Sequence, residues 1–148
     1  MEITGEFRIP ASIEEVWAAL NDASILKQCI PGCQELENIT DTELTAKMQS
    51  KIGPVKTNFA TSLTLSDMDP PNCYVISGEG KGGAAGFARG SAKVNLEQDD
   101  GETILRYEAE VKIGGKIAQV GSRLIDATAR KLAQDFFSKF VDVLTAEA

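Results

Sequence analysis

Cys29 and Cys33 flank Ile30-Pro31-Gly32, and two thiols with three residues between them can bind a metal or exchange a disulfide. The partners that such chemistry needs are missing. The sequence holds three cysteines, the third being Cys73, and no histidine. C-x₃-C is not a zinc spacing, and an odd thiol count does not make a disulfide framework. The expectation is free, mostly buried thiols in a reducing cytoplasm, with no metal site and no required disulfide.

Gly78-x-Gly80-x-Gly82-Gly83-x-x-Gly86 invites a phosphate-cradle reading. That fingerprint needs a strand before it, a helix after it and a parallel βαβ unit. Here a second strand pattern follows, and no Gly-Lys-Ser/Thr is present. A hairpin or portal loop fits better. The missing histidine also removes the usual base of a nucleophilic triad. Most carboxylates fall on the outward faces of predicted strands, where they are solvated. Tyr107 stands among inward residues and could donate to a ligand carbonyl or serve as a core tyrosine with a backbone partner. Arg123 and Arg130 lie on the final helix, where long cations reach back to water. Trp17 reads as core packing. No catalytic constellation emerges, and the expectation is a protein that is not an enzyme and has no cofactor.

These residues sit on a chain of 148 residues, one domain's length, here taken as 1–148. A chain this size buries roughly 70% of the surface that it exposes when unfolded, so it needs no covalent staple. Its net charge of −7 repels phosphate backbones, which argues against nucleic acid and against a broad basic surface for anionic lipid. The N-terminus carries acid where a secretory signal would carry base, and no apolar run approaches the ~20 residues of a membrane span.

Hydrophobic periodicity sets the elements. Ile3, Gly5, Phe7 and Ile9 alternate with polar residues as in a half-buried strand, which Pro10 ends. Ser12 and Glu15 have capping-box spacing and predict a helix with Val16, Trp17 and Leu20 on its apolar stripe. Asn21-Asp22 opens a second short helix, which Ile30-Pro31-Gly32 stops. Alternating runs then follow, separated by turn signals at Thr40-Asp41, Gly53-Pro54, Asp69-Pro70-Pro71-Asn72, Gly82-Gly83 and Asp99-Asp100-Gly101. No crossover helix separates them, so the sheet should be an antiparallel meander. After Gly114-Gly115 the period becomes helical, and one helix is expected from about Ile117 to about Thr145. A helix this long has one natural place to bury its stripe, across the open sheet. The fold class is α+β: a curved antiparallel sheet, two short helices and a long C-terminal helix.

Many side chains on the inward faces are small: Ala46, Gly78, Gly80, Ala88, Gly90, Ala92 and Ala109. Interiors are close-packed, so either the helix approaches the sheet closely, or the strands bend there, or space remains for a ligand.

Four stretches carry a resemblance over essentially the whole chain. They are Pro10 to Asp22 with Ile30-Pro31-Gly32-Cys33, Lys51-x-Gly53-Pro54-Val55, Gly78 to Gly90 with Gly86-Phe87-Ala88, and Gly114 to Arg123. The element order resembles the helix-grip fold of the START/Bet v 1-like superfamily, and the four stretches together resemble the carbon monoxide dehydrogenase G-subunit family. The resemblance implies an accessory protein of molybdenum-containing hydroxylases, linked to recruiting that enzyme to the membrane, on a fold that holds lipids and other hydrophobic molecules. Longer members continue beyond the helix, whereas this sequence ends at Ala148, so membrane contact is expected to be at most peripheral, at the inner face, by a cytoplasmic protein.

The leading expectation is a module that desolvates an apolar small molecule, lipid or quinone-like, between sheet and helix. Phe59, Leu63, Phe87 and Leu124 would supply apolar area, and Tyr107 and Thr128 would orient a polar head. The alternative is an assembly or membrane-recruitment factor docking on a molybdenum hydroxylase, with an incidental cavity. A cyclase or hydrolase on the same fold is a weaker third reading, lacking histidine and a paired inward acid.

Overall fold

The computed structural model describes residues 1–52 and 54–146. Its elements follow the order β1 (Glu2–Ile9), α1 (Ile13–Leu20), α2 (Ala23–Cys29), β2 (Cys33–Asn38), β3 (Glu43–Ile52), β4 (Val55–Asp69), β5 (Cys73–Lys81), β6 (Phe87–Asp99), β7 (Glu102–Gly114) and α3 (Ser122–Thr145). All seven strands join one antiparallel sheet in the order β1-β7-β6-β5-β4-β3-β2. The meander expected from the short turns therefore forms, and β1 closes onto β7 at the far edge. Gly53 of the expected Gly53-Pro54 turn lies outside the described residues.

Ser12 caps α1 as its spacing predicts: its Oγ accepts from the Glu15 N–H at 3.2 Å and donates to Glu15 Oε1 at 3.1 Å. Asp22 caps α2 by accepting from the Ser24 N–H at 2.9 Å. The side chains of α1 meet the sheet at one end. There Ile9, Val16, Leu20, Leu44, Leu96, Leu105 and Phe140 form the densest core, with Ile9, Val16, Leu105 and Phe140 fully buried. Thr103 is fully buried among them and is satisfied by donating to the Ala11 carbonyl at 2.8 Å.

The long helix differs from the sequence expectation at its start. Residues Gly115–Val120 form a separate 3₁₀ helix, and α3 begins at Ser122. Gly121 stands between them at φ 99°, a conformation open to glycine and strained for other residues. Helical periodicity runs through this break because a 3₁₀ turn presents apolar residues at nearly the same spacing as an α turn.

Each half of α3 has one buried apolar residue, Ile125 in the first and Phe140 in the second. Phe136, Phe137 and Phe140 form an aromatic cluster that reaches Phe7 and Tyr107. The first half covers the opposite end of the sheet, where Ile117 and Ile125 are buried.

Candidate functional site

The groove between α3 and the inner face of the sheet contains two adjoining cavities. The larger, about 420 Å³, is walled by sheet residues such as Leu44, Leu63, Ile76, Ala92, Val94 and Tyr107, and by Ala129, Leu132, Ala133, Phe136 and Phe137 of α3. The smaller, about 320 Å³, is walled by Met48, Phe59, Ile113, Ile117, Ile125 and Thr128. Val111, Ala129 and Leu132 line both, so the two form one apolar trough under the helix. The exposed Asn38 and Asp41 of the β2–β3 turn also line the larger cavity, which therefore reaches the surface there. A depression of about 640 Å³ on the sheet's outer face is larger but more open, and Ser62, Thr64, Ser77, Glu79 and Ser91 make it polar. A groove that desolvates an apolar molecule must be apolar and covered, so the trough is the candidate site.

The trough brings four of the six expected residues together. Leu63 and Tyr107 line the larger cavity; Phe59 and Thr128 line the smaller. Phe87 and Leu124 line neither cavity and are 37% and 38% exposed. Phe87 is one residue out of phase with the inward Ala88 and Gly90, so the pleat turns it to the outer face, where the Arg89 guanidinium lies 5.7 Å from its ring centroid. Leu124 precedes the buried Ile125 and lies at the flank of the stripe that faces the sheet.

Tyr74, Ile76, Ala129, Ala133 and Phe137 also shape the trough, although the expected set omits them. For Tyr74 and Ile76 the signal was the same period-two alternation that placed Gly78 inward. For Ala129, Ala133 and Phe137 it was the three- and four-residue spacing around Leu132 and Phe136.

The glycines of β5 and of the turn after it have a specific use. A Cβ on Gly78 would come within 2.8 Å of Leu63 Cδ2, one on Gly80 within 3.2 Å of Thr61 Oγ1, and one on Gly82, just past the strand, within 2.9 Å of Phe59 Cε1. The side chains of β4 thus lie over the bare backbone of β5. Gly90 answers to closer strand approach, since a Cβ there would collide with the Glu110 carbonyl oxygen. Ala92 and Ala109 on the sheet and Ala129 and Ala133 on the helix line the larger cavity, and Gly78, Gly80, Ala88 and Gly90 line the smaller.

Two phenols, Tyr74 and Tyr107, line the larger cavity. Neither hydroxyl is hydrogen-bonded to the described residues. Burial pushes the Tyr74 phenol up to about 12, and Trp17 packs edge-on against its ring at 5.4 Å. Burial also raises Tyr107, while the charge of Arg130 pulls it partly back. Both are therefore neutral donors across the physiological range. Burial likewise raises the Cys29 and Cys33 thiols, which are free, as is Cys73. Among the described residues, no group of histidine, cysteine, aspartate or glutamate is arranged to hold a metal, and no helix is long and apolar enough to cross a membrane.

A conserved protein from Geobacillus kaustophilus has a solved structure similar to this one, at 33% identity, TM-score 0.93, and coverage of 99% of this chain and 96% of that one. A START superfamily protein from Mycobacterium smegmatis matches at 12% identity and TM-score 0.75, covering 99% of each chain. Ara h 8.0201 matches at 16% identity and TM-score 0.68, covering 99% of this chain and 98% of its own. The last two show the shared fold, the helix grip of the START/Bet v 1-like superfamily. No curated protein matches the sequence. The family model of the carbon monoxide dehydrogenase G subunit (CoxG) matches residues 5–145, nearly the whole length. The chain is a member of the carbon monoxide dehydrogenase G-subunit (CoxG) family.

Proposed function

We propose that this protein is a non-catalytic accessory protein that binds an apolar small molecule, lipid or quinone-like, in the trough between the sheet and α3. The observation that carries the reading is an apolar cavity of about 420 Å³ lined by two phenols, Tyr74 and Tyr107, whose hydroxyls have no hydrogen-bond partner among the described residues. Such a cavity gains free energy by removing apolar surface from water, and a phenol without a partner gains further by donating to a ligand carbonyl or ester. Tyr107 and Leu63 serve the larger cavity and Phe59 and Thr128 the smaller. Phe87 and Leu124 would contribute only through the outer surface.

Family membership supports a cytoplasmic protein working beside a molybdenum-containing hydroxylase. The family's name, which ties it to carbon monoxide dehydrogenase, favours a second reading in which the chain docks on such an enzyme. The two readings divide on one experiment. Native mass spectrometry of freshly purified protein should show added mass from a retained apolar molecule. A thermal melt should rise by mass action when a lipophilic quinone or a fatty acid is added, by about 2.7 kcal/mol of stability at a hundredfold excess over the dissociation constant. No added mass and no shift with either class of molecule would leave the docking reading alone.

A further inference from the structure

The sheet ends in β1 on one side and β2 on the other, and the two edges are finished differently. β2 is six residues long and carries a register shift between Cys33 and Glu35. Short length and a bulge both keep an edge from pairing with another chain. β1 has neither. It runs for eight residues against β7 without a shift in register, and no strand pairs its other side among the described residues.

One pair of bonds shows which backbone groups face that side. The Met1 nitrogen donates to the Val111 carbonyl at 3.1 Å, and the Val111 N–H donates back to the Met1 carbonyl at 2.9 Å. Bonded and non-bonded pairs alternate along antiparallel strands, so Ile3, Gly5, Phe7 and Ile9 also bond to β7. The N–H and C=O groups of Glu2, Thr4, Glu6 and Arg8 therefore point to the open edge. No other backbone group among the described residues bonds to them.

The side chains of these four residues make the edge self-complementary. Glu2 lies opposite Glu110 of β7, a like-charge opposition that costs stability. It has no ion pair among the described residues. Arg8, at the other end of the strand, lies against Asp99 and Glu102 and is still half exposed.

We propose that β1 pairs antiparallel with β1 of a second copy of this chain, Gly5 facing Gly5 at the two-fold axis. In that register Glu2 faces Arg8 of the second copy and Thr4 faces its Glu6, each through backbone groups that the single chain leaves unused. Sliding by two residues one way opposes Glu2 to Glu6, and sliding the other way opposes Glu6 to Glu6. Sliding by one residue sets the inner face of one copy against the outer face of the other. The charges thus select one register, and Glu2 gains there the cation that β7 does not supply. On the inner face, Ile3 meets Phe7 of the second copy and adds apolar contact. A partner strand of unrelated sequence would need no such match of β1 to itself. The contact is isologous, so it closes as a dimer and leaves no β1 edge open for growth.

Sedimentation velocity over a concentration series tests it. The parent should form a dimer that dissociates on dilution. R8E alone and E2R alone should each weaken that dimer about tenfold, since each opposes like charges at both ends of the paired strands. An equimolar mixture of R8E and E2R should restore it, because opposite charges then meet at both ends. T4P removes an N–H that faces the open edge and that β7 does not use, so this variant should melt cooperatively and stay monomeric. The mixture decides the matter even if T4P does not fold. A parent that remains monomeric throughout, a folded T4P that still dimerises, or a mixture no more associated than its components overturns the proposal.

Discussion

The rings of Phe7 on β1 and Phe137 on α3 are stacked with their centroids 4.3 Å apart, and this contact fixes how far the helix stands from the sheet. Phe136 and Phe140 extend the same anchor along the helix. Phe140→Ala should cost about 3–5 kcal/mol, as for other fully buried phenylalanines. Phe137→Ala, at a half-buried position, should cost about 2–3 kcal/mol and loosen one wall of the larger cavity. Urea titration checks both. A loss below about 1 kcal/mol in either variant would show that the helix is held elsewhere.

Most of the fold was legible because one physical rule repeats along the chain. Alternation places Leu44, Ala46, Leu63 and Leu65 on one face and their polar neighbours on the other, and turn residues separate the runs. The helical segment was legible for the same reason. Its start was not, because the break depends on the backbone angle of Gly121 and apolar spacing does not register it. The lining of the candidate trough was partly legible. Leu63, Tyr107, Phe59 and Thr128 follow the inward phase, whereas Phe87 falls on the opposite phase and belongs to the outer face. Glycines could not be interpreted from sequence, since their use depends on which neighbour fills the space: Leu63 over Gly78, the Glu110 backbone against Gly90.

That difference between the glycines is itself testable. At Gly78 the obstacle is the far end of a leucine, which can turn aside, so Gly78→Ala should cost less than about 1 kcal/mol. At Gly90 the obstacle is a backbone oxygen, closer still, which cannot move without parting β6 from β7. Gly90→Ala should cost about 1–3 kcal/mol. Parallel thermal melts would refute this account if the two variants were equally stable.

Tyr74 predicts an alkaline instability. The fold protects the neutral phenol, raising it from an ordinary value of 10.0 to about 12. A group raised on folding contributes fully below its unfolded value, and the contribution is lost as pH climbs through the folded one. Stability should therefore fall between about pH 10 and pH 12, by about 2–3 kcal/mol from this residue. Tyr74→Phe should lack that component, so the gap between variant and parent should narrow or reverse across the window. Denaturant titrations at stepped pH would show parallel curves if Tyr74 plays no part.

Ala92→Phe offers the most direct test of the trough. Ala92 lines the larger cavity beside Ile76, Val94 and Tyr107, where a phenyl ring would occupy space that a ligand needs. If the cavity is open, the variant should melt within a few degrees of the parent and lose the melting shift produced by a lipophilic quinone or a fatty acid. If helix and sheet close over the space in solution, the same ring should overpack the core and cost about 1–3 kcal/mol. Tyr107→Phe separates area from polarity. It keeps the ring that stacks on Phe137 and removes a hydroxyl with no hydrogen bond to the described residues, so the fold should be unaffected. Affinity for a ligand with a carbonyl should drop by the worth of one hydrogen bond, about 0.5–1.5 kcal/mol, while a plain hydrocarbon should bind as before. Equal losses for both ligands would assign Tyr107 to packing alone. A wild-type melt that neither ligand moves, together with a destabilised Ala92→Phe, would remove the binding function and favour docking on a partner enzyme.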